Sequence, residues 1–184
     1  PRRGGLRAEE GAVEGVTLGD PVELQVIGGD VPALGICGSG LVDAVAQLLH
    51  VGLLDHSGRM KAATDVPGHP LAGRLIEIDG VRAFLLAEGV FLSQRDVREL
   101  QFAKGSIATG IKVLMDILGV EAKDLEEVLL GGSFGSYLNP ERARILGLVP
   151  DVDVDKIIAG GNPAGVRAKA GLLPSRARPG LSGL

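Results

Sequence analysis

The chain is predicted to be an α/β protein with a mainly parallel sheet toward its C-terminus. Two observations carry that reading. Two units of one design close the sequence: residues 127–130 run into Gly131-Gly132-Ser133 and a helix at Asn139-Pro140, and residues 156–159 run into Gly160-Gly161-Asn162 and a helix from Pro163. Strands alternating with helices in this way favour parallel pairing. The 29 glycines also fall at the ends of apolar runs rather than in one low-complexity tract, as turn and loop positions do.

Each element follows from its own residues. Residues 11–27 alternate apolar and polar positions and predict two short strands joined near Gly19-Asp20-Pro21. Leu34-Gly35-Ile36-Cys37-Gly38-Ser39-Gly40 then leads into a helix over about residues 40–51, with Leu41, Val45, Leu48 and Leu49 on one stripe and Ser39 as its expected N-cap. From 51 to 70 the pattern breaks into polar, glycine- and proline-containing loop. Residues 74–78 and 82–87 flank Asp79-Gly80, a strong two-residue hairpin signal, and Val90-Phe91-Leu92 extends that sheet.

Ser93 followed by Asp96 marks a capped helix start, with Asp in place of the usual Glu or Gln. The helix is predicted over about 94–118, with Val97, Leu100, Ile107, Ile111, Leu114, Ile117 and Leu118 at helical spacing and Gly119 ending it. Lys123-Asp124-Leu125-Glu126 reads as a short acidic helix start before the next strand. Helices are expected over 140–146 and 164–172, each opening with Asn-Pro so that Asn caps and Pro takes the first helical position. Residues from Arg176 onward read as a tail.

Composition narrows the function. A chain of 184 residues suffices for one domain or one large lobe with a real core. The net charge of −4 offers no footprint for nucleic acid, and an aromatic share of 3% lacks the stacking platforms single strands need. No apolar run approaches the ~20 residues of a membrane span. A single cysteine, Cys37, excludes an intrachain disulfide framework and fits a reducing cytosol, so a cytoplasmic location is expected. Pro1-Arg2-Arg3-Gly4-Gly5 opens without Met and reads as mid-loop, which predicts a fragment of a larger protein.

The glycine turns at 35–40, 131–135 and 160–162 are the residues with chemical promise. Ligands of open α/β sheets bind beyond the carboxyl ends of strands, where a missing Cβ lets backbone approach them. No Gly-Lys-Ser/Thr completes a P-loop and no G-x-G-x-x-G opens a helix with the acidic partner downstream, so a Walker-type NTPase and a standard dinucleotide binder are both disfavoured.

Cys37 reads either as a thiolate at a helix N-terminus, as a metal contact shared across a dimer, or as a small buried hydrophobe in a tight turn; the last is the plainer account. His50, His56 and His69 lack ligand spacing, and Asp151-Val152-Asp153-Val154-Asp155 lacks the glycine and closing Glu of a calcium loop. No metal site is expected. Ser39 and Ser133 have no His in a hydrolase motif, so no catalytic nucleophile is assigned. Gln101 and Lys104 lie one turn apart on the long helix, with Arg98 a turn back, and read either as a solvated face or as a face along a base and ribose.

Ala8-Glu9-Glu10-Gly11-Ala12-Val13-Glu14, Gly35-Ile36-Cys37-Gly38-Ser39-Gly40-Leu41-Val42-Asp43, residues 93–105 and Leu130-Gly131-Gly132-Ser133-Phe134-Gly135 together resemble one family. It is the C-terminal ATPase domain of the reductive activators of corrinoid-dependent proteins. The resemblance spans about residues 5–173 in order.

It implies an α/β lobe of ribonuclease-H-like, actin-like type, with a mixed sheet flanked by helices, from the superfamily of sugar and acetate kinases, heat-shock ATPases and actin. Residues 1–173 would be the second lobe and 174–184 a tail. By resemblance, Gly131, Gly132, Ser133 and Gly135 form the adenosine-side loop, Gln101 and Lys104 flank base and ribose, and Gly38, Ser39 and Gly40 line the phosphate end.

The resemblance further implies ATP with Mg as the nucleotide, a corrinoid protein as partner and pairing of two copies as an available assembly. In a neighbouring group, the activators of 2-hydroxyacyl-CoA dehydratases, a Cys-x-x-Gly-x-Gly cysteine holds an interfacial iron–sulfur cluster. Cys37 is displaced from that spacing and has no second cysteine, so the role is not carried over. The four-cysteine cluster motif and the Asp-Gly-Thr phosphate loop of full-length members are not in this sequence, so an iron–sulfur cluster is expected only in an upstream part. The implied function is the nucleotide-binding lobe of an activator that reduces cob(II)amide to cob(I)amide. A small-molecule kinase of the superfamily and a non-catalytic actin-like interaction module are the alternatives.

Overall fold

A computed structural model describes residues 5–132 and 138–160. The first strands form as their alternation predicts. β1 (Ala12–Thr17) and β2 (Glu23–Val26) pair antiparallel around a cis Asp20–Pro21 bond, with a bulge between Val13 and Gly15. The short β3 (Gly35–Ile36) lies parallel on the other side of β1.

Beyond β3, the outer edge of β1 is satisfied by the next helix, α1 (Gly38–His50). Asp43 Oδ2 accepts from the Val16 N–H at 2.7 Å, and Gln47 Nε2 donates to Val16 O at 3.2 Å. These two side chains, one turn apart on α1, replace a strand.

α1 begins earlier than expected. Cys37, extended at φ −90° and ψ 177°, takes the N-cap position, and Ser39 is buried inside the first turn. The reason is close packing on β1. A Cβ on Gly40 would overlap the carbonyl oxygen of Val13, so only glycine lets the turn sit there.

The loop from 51 to 74 is pinned by an isolated bridge between Leu54 and Met60 and carries two short 3₁₀ turns. β4 (Leu75–Ile78), β5 (Val81–Ala87) and β6 (Val90–Ser93) form an antiparallel meander. Asp79 and Gly80 turn the first hairpin with φ of 51° and 74°, the left-handed pair that such a turn demands.

α2 (Gln94–Leu118) follows at once. Ser93 Oγ accepts from the Asp96 N–H, and the Asp96 carboxylate accepts from the Ser93 N–H at 2.7 Å, so the aspartate version of the capping box is complete. Gly119, at φ 65°, ends the helix. The acidic start predicted at 123–126 is a single 3₁₀ turn, Ala122–Asp124. β7 (Val128–Leu130) then pairs parallel with β8 (Ile157–Ala159), with α3 (Pro140–Ile145) between them in sequence. The expected helix over 164–172 lies outside the described residues.

Two apolar clusters hold these elements. The larger gathers Val13, Val45, Leu48, Leu53, Met60, Phe84, Leu92 and Val97 between β1, α1 and the meander. The smaller joins Val42 of α1 to Leu138, Ala143, Leu148, Val152 and Ile157. The helix α2 forms as its spacing predicts, but most of its apolar stripe is uncovered: Val97 is its one buried residue, while Leu114, Ile117 and Leu118 are 61%, 74% and 72% exposed. Among the described residues, no helix is long and apolar enough to cross a membrane.

Candidate functional site

The parallel pairing of β7 and β8 brings two of the predicted glycine turns together. The Gly160 N–H donates to Leu130 O at 3.2 Å, so Gly131 and Gly160 follow neighbouring strands at their shared C-terminal edge. Gly132, at φ 83°, and Gly160, at φ 151°, have no atom among the described residues within 4 Å of where a Cβ would stand. This is the strand edge at which α/β sheets bind their ligands. Ser133 and Gly135 lie outside the described residues. Downstream, Asn139 Oδ1 caps α3 by accepting from the Arg142 N–H at 3.1 Å, with Pro140 in the first turn.

The third turn faces the start of α3. Ser39, Asp43, Asn139 and Arg142 line a cavity of about 290 Å³, closed on the sheet side by Glu14 and Gln25. Arg142 Nε lies 3.1 Å from Asp43 Oδ1, each side chain about four-fifths buried. That Nε–H makes no hydrogen bond, so the pair is held by charge rather than by a directed bond. Cys37 Sγ sits 3.3 Å from Val13 O and 3.2 Å from Ser39 Oγ, fully buried. Its surroundings are those of the small buried residue in a tight turn, and with one cysteine the chain does not fit an iron–sulfur cluster. Among the described residues, no three His, Cys, Asp or Glu side chains gather as a metal site.

Gln101 and Lys104 line a different cavity, of about 210 Å³, at the opposite ends of α1 and α3. Val45, Leu49 and Leu146 supply its apolar wall. Gln101 Nε2 donates to Ser57 O at 3.0 Å, and its Oε1 accepts from Arg98 Nη1 at 2.7 Å, so its amide is already engaged. Lys104 extends over Gly147, where a Cβ would stand 3.3 Å from its Nζ. The structure therefore sets Ser39 in a cavity with Asn139 and Arg142 at the start of α3, and Gln101 and Lys104 in a second cavity near the C-terminal end of α1.

Sequence reasoning passed over Asp43, Arg142 and Asp55. Asp43 carried a signal, as the one acidic residue in an otherwise apolar helix. Asp55 lies in the loop against α2. Its Oδ1 accepts from Ser57 N at 2.8 Å, Ser57 Oγ at 2.6 Å and Arg59 N at 3.0 Å. The Ser57 hydroxyl above all, then the Arg59 amide, hold its carboxyl below the ordinary range.

Comparison with known proteins gives these features a context. Residues 2–182 match the sequence profile of the family described as the C-terminal domain of RACo, the ASKHA domain. The chain is 34% identical over 179 residues to the corrinoid activation enzyme RamQ of Eubacterium limosum, a match covering 92% of this chain and 30% of that protein. It is 30% identical over 130 residues to the [Co(II) methylated amine-specific corrinoid protein] reductase of Methanosarcina barkeri, covering 71% and 20%. A solved reductive activator for a corrinoid, iron–sulfur protein superposes with a TM-score of 0.75 at 31% identity, over 94% of this chain and 28% of that one. The chain thus spans less than a third of the length of these relatives. The α/β fold with its mixed strand pairing is that of an ASKHA domain.

Proposed function

We propose, because this chain belongs to the family of the C-terminal ASKHA domain of RACo, that it is the nucleotide-binding lobe of an ATP-dependent activator of a corrinoid protein. Residues 1–173 serve as the second lobe of the ATPase and 174–184 as a tail. The observation that carries the reading is the pair of glycine turns brought together at the shared C-terminal edge of β7 and β8. Backbone at Gly131 and Gly132, with Ser133 and Gly135, approaches the adenosine side of ATP. Gly38, Ser39 and Gly40 stand at the phosphate end, and Gln101 and Lys104 flank base and ribose.

ATP brought with Mg²⁺ favours a closed, docking-competent state only to the extent that it binds that state more tightly. The electron that takes cob(II)amide to cob(I)amide would be supplied by an iron–sulfur cluster held outside residues 1–184, and this chain's part would be to hold the nucleotide that favours the closed complex. The chain's own residues bind and orient the nucleotide; they do not carry the electron. A cytoplasmic location and pairing of two copies belong to the same reading, and sedimentation of the full-length protein at a single-copy mass would remove the second.

The test is made on the full-length protein containing this chain. ATP binding is followed by calorimetry, and reduction of the cognate cob(II)amide protein by its absorbance change. Wild type should bind ATP and reduce the corrinoid when ATP is present. Gly132→Ala strains a left-handed position and puts a methyl group where the nucleotide approaches, so ATP affinity should fall at least about tenfold. Reduction that proceeds at the full rate without ATP would refute the reading, and γ-phosphoryl transfer to a small molecule without corrinoid reduction would replace it with a kinase.

A further inference from the structure

Four arginines converge beside the start of α2 in a place the nucleotide reading does not use. Arg59 from the loop, Arg82 from β5, and Arg95 and Arg98 from the first turns of α2 line an open groove of about 730 Å³, in which Glu99 is the one acidic side chain. The chain as a whole carries a net charge of −4, so this concentration of cations runs against its overall balance.

Two of the four have structural work. Arg82 Nη1 donates to Met60 O at 2.7 Å and lies 3.7 Å from Asp65 Oδ2, and Arg98 Nη1 donates to Ser57 O at 3.0 Å. Arg59 and Arg95 are exposed, and neither guanidinium makes a hydrogen bond or an ion pair within 4 Å among the described residues. Arg59 has Asp55 in its electrostatic neighbourhood, as the least of the influences lowering that carboxyl.

The placement is also locally unfavourable. Arg95 and Arg98 sit near the positive end of the α2 dipole, where anions are the stabilising charge. The loop bond of Arg98 accounts for that residue, whereas Arg95 has no partner among the described residues and an incoming negative group would supply one. A small anion or metabolite favours an enclosed, largely apolar pocket, and this groove is broad and open. Planar guanidinium forks match carboxylates bidentately, and arginine recurs at the energetic centres of protein interfaces. A nucleic acid is disfavoured by the 3% aromatic share and the absence of overall positive charge.

The geometry points to the Arg59–Arg82–Arg95–Arg98 groove as the docking surface for an acidic face of the corrinoid protein. This rests on the activator reading above and adds to it where the partner sits and what charge it presents. Charge complementarity of this kind acts mainly on the rate of association and makes it salt-dependent.

The experiment uses the full-length protein, its cognate corrinoid protein in the cob(II) state, and the double variant Arg59→Glu/Arg95→Glu. Both substituted residues are exposed and outside the proposed nucleotide site. Surface plasmon resonance at low and at physiological salt reads association, and calorimetry reads ATP affinity. The expected result is an affinity for the corrinoid protein at least tenfold weaker through slower association, a flattened salt dependence and unchanged ATP affinity. Arg59→Lys/Arg95→Lys should keep most of the binding and its salt dependence. Should the double variant fail to fold, Arg95→Glu alone gives the same readout, with an expected loss of at least threefold. Unchanged association in a charge-reversed protein that still binds ATP overturns the docking surface and leaves the activator reading standing. If wild type binds ATP yet does not associate with the corrinoid protein under any nucleotide condition, both fall together.

Discussion

The carboxylate of Asp55 holds the loop at 55–59 by accepting from three donors on Ser57 and Arg59. Its pKa is lowered from 3.8, chiefly by the Ser57 hydroxyl and then by the Arg59 amide. A lowered folded pKa means that the contribution is present above 3.8 and is lost as pH falls through the folded value. Amide exchange at Ser57 and Arg59 should therefore accelerate below about pH 3.8 in wild type, and Asp55→Asn should show raised exchange already at neutral pH.

At α1, Asp43→Ala would orphan the Val16 N–H and leave Arg142 without its counter-ion. A loss of about 2–4 kcal/mol in urea unfolding is expected. Gly40→Ala drives a methyl group into a backbone carbonyl that does not yield, and about 3 kcal/mol or more is expected in the same measurement. Asp43 stood out as the acidic residue of α1, but neither its partners nor the role of Gly40 was legible at the residues themselves. Ser39 has the chemistry of a cap, yet Cys37 takes that position because Gly40 packs onto β1, a contact the sequence does not display.

Elements were more readable where the signal is local. Asp79-Gly80 announces a hairpin because the turn needs left-handed φ at both central residues, and Ser93 with Asp96 announces the start of α2 because both partners of the box lie within one turn. Ser93→Ala removes a cap that also accepts from the Asp96 N–H. About 1 kcal/mol of stability should be lost, measured by thermal unfolding, with exchange rising first in residues 94–97.

The stripe on α2 was the opposite case. Its spacing gave the helix correctly, but burial depends on what lies across from it: only Val97 is buried in the main core, with Leu100 packed half-buried against it. The parallel pairing of β7 and β8 came from the repeated strand-turn-helix units and stands as expected.

At the scale of the molecule, the family and the fold were legible because several weak motifs fall in order along nearly the whole chain. The arrangement of cavities was not. Ser39 and Gln101 belong to different hollows, separated along α1, and no periodicity reports which end of a helix a distant loop will cover.

One loop lies between two of these hollows. Gly58 lines the cavity of Gln101 and Lys104, and Arg59, the next residue, lines the arginine groove. Gln94, Arg98 and Gln101, one stripe along α2, all bond to the loop between Ser57 and Met60. A ligand on either side that shifts this shared wall alters the other side, and equilibrium thermodynamics makes the effect reciprocal: on the proposed reading, whatever factor ATP adds to the affinity for the corrinoid protein, that protein must add to the affinity for ATP. Gln94→Ala cuts two of the wall's anchors and should bring both factors toward unity together, so the loop would act as a transmission with equal gain in each direction.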